Sequence, residues 1–130
     1  MSTEYQPGRC NIGSDEQRKR RTFGWFTFGA AALLVAAVVG LSLPTRVLLF
    51  AAVPLFGGFL GILQARANFC AGFAIAGIYR FTDTADPTSV EDASARRADR
   101  RRAVGIVLQA TVAAVLSTIV LYFGYTTIAG

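Results

Sequence analysis

Two cysteines, Cys10 and Cys70, and the polar side chains around them, Asn11, Gln64, Arg66 and Asn68, are the residues of this chain whose types could do chemistry. A thiol can exchange electrons, take an acyl group, ligate a metal, or pack as a small apolar side chain. Neither cysteine lies in a Cys-x-x-Cys arrangement, which weakens the redox reading. The chain has no histidine, so its two thiolates cannot complete a tetrahedral zinc site alone, although two chains could supply four at an interface. Structural thiols, a redox-active or palmitoylated pair, and a shared metal site therefore all stay open, and the cofactor is left unknown. The missing histidine also removes the commonest general base and the ordinary near-neutral pH switch. Hydrolase and protease readings fall with it, and the expectation is a non-enzymatic protein.

The elements that must position these residues are apolar. At 130 residues, 53% hydrophobic content and a mean hydropathy of +0.45 are too high for an ordinary soluble domain, and point to a membrane. The run 23–43 carries no charge and, at ~1.5 Å per residue, reaches the ~30 Å of a hydrocarbon core. A second run, 47–65, follows Pro44 and Arg46 and stops at Arg66; a third, 103–128, follows Arg100, Arg101 and Arg102 and contains Gln109. Between them, 68–81 is apolar but interrupted by Gly72 and Gly77, which predicts an interfacial or re-entrant segment followed by a loop over 82–102. The expected fold is all-α, a small transmembrane bundle of three spans. It divides into an N-terminal tail, 1–14, and one helical domain, 15–130.

Basic residues near span ends stay cytoplasmic, and here they sort cleanly. Of the thirteen Lys and Arg, only Arg46 lies between spans one and two; the others precede span one or lie between spans two and three. Three crossings with the N-terminus inside and the C-terminus outside keep all but Arg46 on the cytoplasmic face of an inner membrane. A fourth crossing through 68–81 would split that set. Arg20-Arg21-Thr22-Phe23 resembles the core of a twin-arginine export signal, but the following apolar run is too long and offers no small-x-small cleavage site. It reads as an uncleaved anchor.

Ser14 with Gln17 three residues on, and Thr88 with Glu91, fit capping boxes, so helices one and three are expected to begin near Ser14 and Ser89. Asp92 is placed to pair with Arg96 one turn on. The clusters Arg18, Lys19, Arg20, Arg21 and Arg96, Arg97, Arg100, Arg101, Arg102 are expected to contact anionic lipid headgroups at ~1 kcal/mol each rather than nucleic acid. Small residues at four-residue spacing mark packing faces in membranes. They occur at Ala32, Ala36 and Gly40 and at Gly57, Gly61 and Ala65, and Gln109, Ala113 and Ser117 follow the same spacing in span three. Pro54 could kink span two, and Gln64 could hydrogen-bond to Gln109.

Cys10-Asn-Ile-Gly13 and Gln64-Ala-Arg-Ala-Asn-Phe-Cys70, leading to Gly77-Ile-Tyr79, resemble elements of a group of small, uncharacterised prokaryotic multi-spanning membrane proteins. The resemblance covers about residues 9 to 81 and not the third span. It implies no activity, but supports grouping Cys10, Asn11, Gln64, Arg66, Asn68 and Cys70 as one site. The functional expectation is an accessory, scaffold or assembly subunit of a larger membrane complex or homo-oligomer. The alternative is a thiol protein in which Cys10 and Cys70 meet.

Overall fold

A computed structural model describes residues 5–81 and 87–129; positions 82–86 of the expected 82–102 loop lie outside the described residues. The elements in order are α1 (Ser14–Gly40), a 3-10 stretch (Thr45–Ala51) leading directly into α2 (Ala52–Ala67), a short α3 (Ala71–Ala76), β1 (Ile78–Tyr79), β2 (Thr88–Ser89) and α4 (Ala93–Ala129). Three segments, Ser14–Gly40, Thr45–Ala67 and Ala93–Ile128, are long and apolar enough to cross a membrane. The chain is an all-α, multi-pass bundle. The six residues of α3 extend only about 9 Å at the helical rise, so no fourth crossing forms there. Instead β1 pairs antiparallel with β2, Ile78 opposite Ser89 and Tyr79 opposite Thr88, a ribbon the sequence reading did not anticipate.

Local chemistry accounts for the boundaries. The helical path of span two is 3-10 up to Ala51, so Pro54 falls in the first turn of α2. Pro54 is tolerated there, close to the point where the winding changes from 3-10 to α. Asn68 ends α2 in the left-handed conformation (φ 53°) and Gly77 does the same for α3 (φ 74°), as helix C-termini favour. Helix α4 begins at Ala93, not Ser89, because Thr88 and Ser89 are taken by the ribbon. Its cap is Asp92, whose carboxyl oxygens accept the Ser94 N–H at 3.4 Å and the Ser94 hydroxyl at 2.7 Å. These contacts hold the Asp92 carboxyl below its ordinary range. Asp92 makes no ion pair with Arg96, whose Nε–H donates to the Val90 carbonyl. At Ser14 no side-chain cap bond forms; Gln17 Nε2 donates instead to the Ala65 carbonyl at 2.7 Å, satisfying an acceptor at the end of α2.

Packing starts where α1 and α2 come closest. A Cβ on Gly61 would lie 2.7 Å from the Arg20 carbonyl oxygen and 2.8 Å from the Gly24 Cα, and one on Gly58 would overlap the Phe28 ring. From Gly24 the buried line of α1 continues at seven-residue steps through Ala31 and Val38, the repeat that keeps one seam facing a partner. Ala32, Ala36 and Gly40 lie beside that seam and are exposed. Gly61 and Ala65 are buried in the contact, while Gly57 is half-buried against Thr27. In α4 the buried line is Ala95, Asp99, Ala103, Ile106, Ala110, Ala114 and Thr118; Gln109 stands outside it, exposed. Phe69, fully buried, packs with Ala71, Ala74, Ala103 and Ile106 where α2, α3 and α4 meet.

Candidate functional site at the basic end

The N-terminus of α1, the C-terminus of α2 and the N-terminus of α4 share one end of the bundle, and the tail 5–13 is folded onto it. Asn11 fastens the tail. Its Nδ2 donates to the Cys70 carbonyl at 3.0 Å and its Oδ1 accepts the Cys70 N–H at 2.7 Å, so one side chain pairs with a backbone as a strand would. Its own N–H donates to the Asn68 carbonyl at 3.2 Å and its carbonyl accepts the Arg80 N–H at 3.0 Å. The Gly13 N–H then donates to the Arg80 carbonyl at 3.2 Å, and Ile12 bridges Arg80 in parallel. Gln64 Oε1 accepts the Ala71 N–H at 2.8 Å, satisfying a donor in the first turn of α3.

Thus Asn11, Gln64, Asn68 and Cys70 do come together, through backbone and amide groups rather than through sulfur. The two thiols do not form a proximal pair. Cys10 Sγ–H donates to the Ile12 carbonyl at 3.5 Å, whereas Cys70 Sγ accepts from Arg20 Nη2 at 3.0 Å. Both are free and buried, and burial pushes the Cys10 thiol above its ordinary value. The alternative that needed the sulfurs as neighbours within one chain therefore loses its geometric premise.

Arg20, expected among the lipid-facing cations, is turned inward. Its Nη1 meets Glu16 Oε2 at 2.8 Å, its Nη2 meets Cys70, and its guanidinium lies 5.5 Å from the centroid of the Phe73 ring. Glu16 is buried and also lies 3.6 Å from Lys19 Nζ. Arg96 likewise spends its Nε–H on Val90. Arg18, Lys19, Arg21, Arg97, Arg100, Arg101 and Arg102 remain exposed. Gln64 and Gln109 do not pair: Gln64 is used on Ala71, and Gln109 opens into a surface cleft with Arg66 and Arg102.

A second polar knot, on Asp99, was not singled out in the sequence. Asp99 is fully buried; its Oδ1 accepts the Gly8 N–H at 2.7 Å and its Oδ2 the Tyr5 hydroxyl. Tyr5 stacks on Tyr79 with ring centroids 4.5 Å apart. Burial, then the bond to Asp99, raise the Tyr5 phenol well above its ordinary value. The signal that could have found Asp99 is periodicity, because it continues the apolar line Ala103, Ile106, Ala110 one turn back into the arginine cluster.

No protein family, curated protein or solved structure matches this chain.

Proposed function

We propose that the chain is a non-catalytic subunit of a larger membrane assembly, an anchor whose three spans carry a rigid, arginine-studded cap on the cytoplasmic side of an inner membrane. One observation carries this reading. Of the polar side chains buried at the basic end, Asn11 and Asp99 fasten the tail, Gln64 holds the start of α3 and Glu16 pairs with Arg20, and among the described residues none is left without a hydrogen-bond partner. Asn11, Gln64, Glu16 and Asp99 are the groups that could have served a substrate, and each is committed to backbone or to a neighbouring side chain. A fully satisfied polar network rigidifies a structure and fixes one arrangement of it. The orientation rests on the segregation of basic residues, and membership of the group with the Cys-Asn-Ile-Gly-like element rests on the two motifs.

The test places a photo-crosslinking amino acid at Leu116 or Val120, both exposed on α4, in the chain expressed in its native membrane. A discrete adduct with one other membrane protein, formed at these positions and absent from a position on the buried line such as Ala110, is expected. Adducts with lipid alone, together with an unassembled chain on a native gel, would end the subunit reading.

A further inference from the structure

Where the basic ends of α2 and α4 diverge, Leu63, Arg66, Ala67, Arg102, Ile106 and Gln109 line a cleft of about 160 Å³. Arg66 and Arg102 both open into it, no acidic residue lines it, and among the described residues neither guanidinium has a carboxylate or hydrogen-bond partner. Gln109 is also without one, although it sits seven residues inside the apolar part of α4, about 10 Å deeper than Arg102 at the helical rise. A primary amide on the lipid-facing side of a span needs a polar partner at that depth. The arrangement is therefore layered: two cations at headgroup level, the apolar side chains of Leu63 and Ile106 about one turn below them, and the Gln109 amide at the base of the cleft.

We propose that this cleft binds one acidic phospholipid, with the phosphate between Arg66 and Arg102 and the glycerol ester carbonyls accepting from the Gln109 amide. The charge and the depth of the three side chains match the order of groups in a phospholipid, from phosphate to ester. Arginine suits the first role because its planar fork donates two parallel hydrogen bonds to phosphate oxygens. Leu63 and Ile106, between the arginines and the amide, would pack against the glycerol backbone. The site differs from the diffuse attraction expected of Arg18, Arg21, Arg97 and Arg100, which present charge without an amide beneath it.

Native mass spectrometry of the full chain in mild detergent, titrated with phosphatidylglycerol or with phosphatidylcholine, reads this directly and reports oligomeric state in the same spectrum. The wild-type chain should retain a first phosphatidylglycerol at least fivefold more tightly than phosphatidylcholine. Arg66→Gln with Arg102→Gln should abolish that preference, Gln109→Leu should weaken it several-fold, and Arg18→Gln with Arg97→Gln should leave it in place. Arg66→Lys with Arg102→Lys, which keeps the charge but not the fork, should fall between. Equal retention by the Arg66/Arg102 glutamine variant, equal loss in the Arg18/Arg97 control, or full displacement by inorganic phosphate would overturn the proposal. So would a Gln109→Leu variant that lost dimers rather than lipid, since a second copy would then be the occupant.

Discussion

Asn11 is the side chain on which the cap depends most, because it satisfies a buried N–H and a buried carbonyl of Cys70 at once. Truncating it leaves both without partners, at a cost of about 2–4 kcal/mol. Asn11→Ala should therefore lower the thermal midpoint in detergent strongly, whereas Asn68, whose role is its left-handed backbone, should accept Gly with little loss; equal effects would contradict the hydrogen-bond argument. Tyr5→Phe removes one of two partners of the buried Asp99 and should cost about 1–3 kcal/mol, read by the same midpoint. For Cys10 the sign of the pH effect follows from its raised thiol value. The folded chain holds that proton more tightly than the unfolded chain. The contribution is thus fully present below the ordinary thiol value and declines as pH rises through and above it. Maleimide should react slowly with Cys10 in the folded chain and faster once it is denatured. Of the six residues grouped in the sequence, Asn11, Gln64, Asn68 and Cys70 were legible as one network, since polar residues beside the end of an apolar span must find partners, whereas Cys10 bonds within the tail and Arg66 opens into the cleft between α2 and α4. The assumption that the cysteines were its centre was not, because spacing carries no information on which way a side chain turns.

At the scale of elements, the spans were legible because length and apolarity are physical thresholds, and α1 and α4 begin outside the apolar runs as their polar first turns require. The packing faces were legible only in kind. Small residues at four-residue spacing occur on more than one side of α1, and the side used is decided by Gly24 meeting Gly61, a contact between distant parts of the chain. Gly61→Val should separate α1 from α2 and cost about 1–3 kcal/mol or more, whereas Gly29→Ala, where an added Cβ meets nothing within 4 Å, should be tolerated; a neutral Gly61→Val would show that this close approach is not real. The start of α4 was misplaced because the Thr88–Glu91 pattern competes with strand pairing to Ile78 and Tyr79, a partner no local pattern reveals. Asp92→Ala should therefore lower stability more than Thr88→Ala. The Asp92 contribution should be present above the ordinary carboxylate range and lost as pH falls through its depressed value.

For the whole molecule, the consequence is a bundle with two unlike ends. One gathers every Lys and Arg except Arg46 together with the tail, α3 and the ribbon; among the described residues the other has the turn between α1 and span two and the end of α4. That asymmetry is what the positive-inside rule reads as orientation. On the orientation proposed above, the basic cap would face the cytoplasm. The most direct test introduces single reporter cysteines at two exposed positions, Arg97→Cys in the cap and Thr127→Cys near the end of α4, and labels them with a membrane-impermeant maleimide in spheroplasts and in inverted vesicles. Labelling at position 127 only from outside and at position 97 only from inside, with buried Cys10 and Cys70 silent until denaturation, is the predicted result. Labelling of both introduced cysteines from the same side would contradict a three-span chain with its cap in the cytoplasm.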